Sequence, residues 1–182
     1  GSGDEPNTFE TISAAISTES VSQDAVVGVE GGQTVDESGS NVVIGTSGVT
    51  VTGFDGKPTI QTGSNRIQAD SDGVTIRNLE VTSNPGSDTF RTLEAIGSGV
   101  TFDGVKRSAP GTSGPTAANG NPLIQVNGPD ATVKNCEVIG SSIGVNSVNE
   151  GAFDAVNNFV SDAATEGIFV FVICSLNYTI EN

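Results

Sequence analysis

Six short phrases of this chain share one pattern and return at nearly even spacing: VTVTG from Val49, VTIRN from Val74, VTFDG from Val100, ATVKN from Ala131, FDAVN from Phe153 and YTIEN from Tyr178. Successive starts lie 25, 26, 31, 22 and 25 residues apart. Periods in this range mark stacked repeats, in which no unit can bury its apolar face alone. Within each phrase the first and third residues are apolar, as in Val74 and Ile76, and the intervening positions are polar or small, as in Thr75 and Arg77. Period-two alternation is a strand with one face in a core. The fifth residue is Gly53, Asn78, Gly104, Asn135, Asn157 or Asn182. Gly and Asn enter the left-handed conformation of a sharp corner most readily. Asn78, Asn135, Asn157 and Asn182 therefore read as a corner ladder, with side-chain hydrogen bonds passed between stacked coils. Beyond the corner apolar residues resume at Leu79, Val81, Val105, Cys136 and Val138.

A strand, a Gly or Asn corner, a second strand and a return after about 25 residues describe one coil of a parallel β-solenoid. The expected fold is all-β, a right-handed parallel β-helix of six or seven coils spanning residues 8–182, after a flexible segment 1–7. Coils would stack at about 4.8 Å, the distance between hydrogen-bonded strands. The segment NTFETISAAI puts Phe9, Ile12, Ala15 and Ile16 on one helical face. It predicts a capping helix within 8–21, with Thr8 as N-cap and no capping-box Glu at position 11. Such a helix would shield the strand edges of the first coil. The interval of 31 is explained by RSAPGTSGPTAANGNP, residues 107–122, read as a protruding loop because of its Pro, Gly and Ser.

Taken together, TFETISAAI, DAVVGVEGGQTVDE, NVVIGTSGVTVTG and the repeated GVTIRNLEV resemble the opening of right-handed parallel β-helix proteins of the pectin-lyase-like superfamily. Its branch with surface and periplasmic carbohydrate-binding and sugar-hydrolase repeats is the most similar. The resemblance runs from about Thr8 to Asn182 and implies a capping helix before the first coil. It implies no single activity, since the fold hosts lyases, hydrolases, epimerases, adhesins, tailspikes and structural modules. The hydrolase and epimerase branches need a His, and this chain has none. The esterase branch pairs two aspartates with an Arg in motifs not found here. The lyase branch needs acidic calcium ligands and an Arg or Lys base. Outward Arg77, Asp103 and Lys134, on three successive coils, are the nearest approach to such a site.

Charge narrows the partners. With 22 acidic residues against 7 basic ones, the net charge of −15 disfavours nucleic acid and anionic membranes. An acidic, Lys-poor surface suits concentrated salt, where a short Debye length screens self-repulsion, and points to a halophilic, archaeal or viral source. No apolar run reaches the roughly 18–20 residues of a membrane-spanning helix. The absence of Met is read as a processed product or fragment, secreted after loss of its signal segment. Cys136 and Cys174 are expected as buried free thiols. DSDG, with Asp70 and Asp72, resembles the start of a calcium loop, but position 81, where the closing Glu would fall, is Val. No cofactor is called for. The run Ile168, Phe169, Val170, Phe171, Val172 and Ile173 is apolar on both faces of a strand, which marks it as a candidate interface. The chain ends at NYTIEN inside a coil without a cap, so further residues or a docked neighbour are expected there. Asn177 heads the glycosylation pattern Asn177-Tyr178-Thr179. The functional expectation is a non-catalytic extracellular assembly module, as a homo-oligomer or larger surface assembly. A polysaccharide lyase and a carbohydrate-binding adhesin are the alternatives.

Overall fold

The computed structural model describes residues 9–17, 21–83, 92–108, 122–149, 152–172 and 178–181. It is a parallel β-solenoid. A short helix, α1 (Ile12–Ser17), is followed by four coils of three strands each. The first carries β1 (Val26–Glu30), β2 (Thr34–Asp36) and β3 (Val42–Ile44); the second β4 (Thr50–Phe54), β5 (Thr59–Gly63) and β6 (Ile67–Ala69). The third carries β7 (Thr75–Arg77), β8 (Glu80–Ser83) and β9 (Leu93–Ala95); the fourth β10 (Thr101–Asp103), β11 (Lys106–Ser108) and β12 (Pro122–Val126). The next turns are built differently. β13 (Ala131–Lys134) leads into the long β14 (Glu137–Asn149), and β15 (Phe153–Val156) into the long β16 (Phe159–Val172), before β17 (Tyr178–Glu181). The six or seven uniform coils expected from spacing thus become four three-stranded coils and a remainder in which two faces run as one strand.

The first face is a seven-stranded sheet in the order β1-β4-β7-β10-β13-β15-β17, all pairs parallel. Its register sets Thr50, Thr75, Thr101 and Thr132 side by side, so Val49, Val74 and Val100 lie over one another, each with no exposed surface. Each of their carbonyls accepts an amide from the coil that follows: Thr75 N–H to Val49 O, Thr101 N–H to Val74 O and Thr132 N–H to Val100 O, all at 2.9 Å. A second inward column, Val51, Ile76, Phe102, Val133 and Ala155, runs beside it. Each such side chain is worth about 1.5–3 kcal/mol when buried, which is why residues of one type recur at one place in the coil.

The second face stacks Ile60, Val81, Arg107, Val138 and Val160. Arg107, expected in a loop, is a strand residue at an inward position with no exposed surface. Counting by twos from Val105 reaches it; the Pro and Gly that follow drew it into the loop instead. Pro122, expected as the end of that loop, opens β12, and residues 109–121 lie outside the described residues, as do 1–7, Thr8, Cys174, Asn177 and Asn182.

The corners follow the expected chemistry with two differences. Asn78, Asn135 and Asn157 have φ of 54°, 53° and 53°, and Gly104 has 64°. Gly53 is not left-handed; that coil turns later, at Asp55 (φ 56°) and Gly56 (φ 126°). Gly53 is required for space instead, because a Cβ there would overlap the Asn78 carbonyl. At Asn78 and Asn135 the side-chain amides do not run to another Asn. Asn78 Nδ2 donates to Gly53 O and Gly56 O, both at 3.0 Å, and Asn135 Nδ2 donates to Asp103 Oδ1 at 2.8 Å. Replacing Asn78 by Ala is expected to cost roughly 2 kcal/mol, from left-handed strain and two lost hydrogen bonds. Asn78→Gly, which relieves the strain alone, should cost distinctly less. Equal urea midpoints for the two variants would show that conformation does not govern this corner.

The helix begins at Ile12 rather than directly after Thr8 and is capped otherwise. Thr11 Oγ1, not Thr8, accepts the Ala14 N–H, at 3.0 Å. The missing capping carboxylate comes from Glu37, on the first coil, which accepts from the N–H groups of Ile12 and Ser13. Ile12 and Ala15 are buried, Ile16 packs partly against the core, and Phe9 precedes the helix at 42% exposure.

Candidate functional site

On the outer surface of the first face, parallel register makes rows of equivalent positions. One row reads Thr50, Thr75, Thr101, Thr132, Asp154, Thr179. The next reads Thr52, Arg77, Asp103, Lys134, Val156, Glu181. Arg77, Asp103 and Lys134, proposed as a lyase-like trio, are therefore immediate neighbours. Within the row the charges are already engaged. Lys134 Nζ lies 3.5 Å from Asp103 Oδ2, and the other Asp103 oxygen takes the Asn135 amide. Arg77 turns the opposite way and donates from Nε to Thr52 Oγ1 at 3.2 Å. Lys134 and Asp103 are 42% and 32% exposed, so their attraction is largely screened by water. The row lies on strand rather than in the cleft between α1 and the first coil, whose walls are described below.

The DSDG segment is a turn inside a stack of turns. Gly48 N–H bonds to Asp72 O, Gly73 N–H to Ser98 O, and Gly99 N–H to Pro129 O, at 2.9, 2.8 and 2.8 Å. Asp72 Oδ1 accepts the Ser98 N–H at 2.8 Å, and Asp70 Oδ1 accepts from Gln68 Nε2 at 3.3 Å. These turns stack so closely that a Cβ at Gly97 would overlap the Ser71 carbonyl. Among the described residues no three His, Cys, Asp or Glu side chains are grouped to hold a metal; the Asp72 carboxylate serves the turn stack and that of Asp70 bonds within its own coil.

Three polar groups escaped the sequence reading. Glu94, outward on β9, is only 2% exposed. Arg66 Nη1 lies 2.7 Å from its Oε2, and Asn127 Nδ2 donates to its Oε1 at 2.8 Å, with Gln125 Nε2 donating to Asn127 Oδ1 at 2.7 Å. This network ties β6, β9 and β12 together across the third face, where Gln68, Glu94 and Gln125 share one register row. Arg107, in the core, donates from Nη2 to Thr92 Oγ1 at 2.6 Å and from Nη1 to the Val81 carbonyl at 3.5 Å. Burial pulls its guanidinium down to about 9, the direction expected when a cation leaves water. Glu37 is the third. Its signal in the sequence was position: counting by twos from Val35 places it inward.

Cys136 is buried as expected, and desolvation pushes its thiol up to about 11. A raised thiol is a poor nucleophile at neutral pH. The apolar run falls mostly on β16. Ile168 sits in register with buried Val145 and packs partly against the core. Phe169, Val170, Phe171 and Val172 continue in register with Asn146, Ser147, Val148 and Asn149. Ile173 lies outside the described residues. Among the described residues β16 pairs with β14 alone. Phe159, at its start, is 60% exposed, and Ile180 on β17 is 46% exposed although it continues the inward column beyond Ala155.

The fold defines the class: a parallel β-solenoid of stacked, in-register coils. No protein-family model matches the chain. Comparison with curated proteins finds no match, and comparison with solved structures finds none. Among the described residues no helix is long and apolar enough to cross a membrane.

Proposed function

We propose that this chain is a non-catalytic extracellular module of a halophile, a component of a cell surface, filament or virion appendage, related to the pectin-lyase-like β-helices. The observation that carries this reading is the 14-residue strand β16, which among the described residues pairs along one edge only. The other edge holds a row of backbone donors and acceptors that a further strand, of this chain or of another copy, can complete. The exposed Phe159 belongs to the same strand. The net charge of −15 supports assembly in concentrated salt, where repulsion between copies is screened. Sedimentation in molar salt should show mass rising with protein concentration, and electron microscopy should show defined oligomers or rods. A protein that stays monomeric at high concentration in molar salt, with no assemblies in micrographs, would rule the proposal out.

The register of Arg77, Asp103 and Lys134 favours a second reading, a lyase of acidic polysaccharides. It requires Lys134 or Arg77 to leave its present partner, give up its own proton to solvent and, as the neutral base, take the proton beside the substrate carboxylate. The electron pair forms a C=C bond as the glycosidic C–O bond breaks, and its oxygen leaves with a proton from water. Incubation with acidic polysaccharides and calcium would then yield unsaturated, ultraviolet-absorbing products, and their absence across a broad panel removes this reading.

A further inference from the structure

The helix α1 has six residues, fewer than an isolated helix needs to persist in water. What keeps it formed lies outside it. Ile12 and Ala15 are buried against the first coil. The Glu37 carboxylate, 4% exposed, takes the N–H groups of Ile12 and Ser13, the latter at 3.1 Å, and the Ser13 hydroxyl at 2.6 Å. Glu37 is itself fixed to the solenoid, because its N–H bonds to Gln61 O of the second coil at 2.8 Å. One carboxylate anchored in the coils thus holds the first two amides of the helix. The side towards β1 and β2 is looser. A cleft of about 680 Å³ opens there, with Phe9, Val26, Val35 and Phe54 among its walls. Val26 and Phe54 are 66% and 47% exposed.

We infer that α1 is a lid that opens as a unit separate from the coil stack, with the Glu37 carboxylate as its latch. The inference goes beyond the proposed assembly function and does not depend on it. Opening uncovers the end of the core at Val29 and Val42, together with the edges of β1 and β3. Among the described residues these strands pair only with β4 and β6. The middle of the coil stack differs, since Ile76 and Phe102 are enclosed by coils on both sides. Elements with few buried contacts open locally at lower free energy than the core they rest on.

The test is amide hydrogen exchange on the full chain, wild type beside Glu37→Ala and Glu37→Gln. In the wild type, the amides of Ile12 to Ala15 should exchange faster than those of Ile76 and Phe102. Glu37→Ala should speed them about tenfold or more, the size of a lost helix cap with its hydrogen bonds, while Ile76 and Phe102 keep their rates. Glu37→Gln keeps a carbonyl acceptor and should fall between. The inference fails if α1 and the coils exchange at one common rate in the wild type. It fails equally if either variant accelerates both together, or if both leave α1 unchanged.

Discussion

Replacing Phe102 by Ala is expected to destabilise the protein by about 3–5 kcal/mol. The side chain has no exposed surface and lies between Ile76 and Val133 in the inward column of the first face. Removing it takes a ring out of the middle of the stack, and the coils on either side are held at strand spacing by backbone hydrogen bonds. They cannot close the gap by moving together, so the cavity persists and adds to the lost transfer energy. Phe102→Leu keeps more of the volume and should lose distinctly less. Urea unfolding is the measurement, with a lowered midpoint at unchanged slope. A Phe102→Ala midpoint within error of wild type would mean that the column is not what holds the coils together. Phe54→Ala is the control, since Phe54 is 47% exposed.

The second large effect belongs to Arg107. Its inward neighbours are Val81 and Val138, so the column around it is aliphatic. Arg107→Ala should cost roughly 2–5 kcal/mol, mostly from the cavity that the long side chain leaves. Arg107→Met fills the same space without a charge. A charge taken out of water carries a desolvation cost, which the lowered pKa of about 9 marks and which Met does not bear. Met is therefore expected within about 1 kcal/mol of wild type, or above it. If Met proves as damaging as Ala, the hydrogen bonds to Thr92 and Val81, rather than volume, are what the position requires.

Most of the fold was legible from the chain because its determinants are local. The alternation of Val74-Thr75-Ile76 and of Val100-Thr101-Phe102 fixes which side chains turn inward. Repetition after about 25 residues fixes which of them stack. The left-handed corners at Asn78, Asn135 and Asn157 follow from residue type alone. The candidate site was legible only as a register. That Arg77, Asp103 and Lys134 adjoin could be counted out, but that Asp103 is engaged by Lys134 and Asn135 while Arg77 turns to Thr52 could not. Side-chain direction at an exposed position depends on all its neighbours at once.

The amino-acid order by itself determined the stacking, the columns of Val49, Val74 and Val100, and the corners at Asn78, Asn135 and Asn157. Tertiary structure alone decided what holds the polar groups that go inside. Glu37 is buried because the helix it caps is 24 to 25 residues distant in the chain. Arg107 is held by Thr92, 15 residues before it, and Glu94 by Arg66 and Asn127, 28 and 33 residues away. A buried charge is tolerated only where partners converge on it, and in a solenoid those partners arrive from other coils.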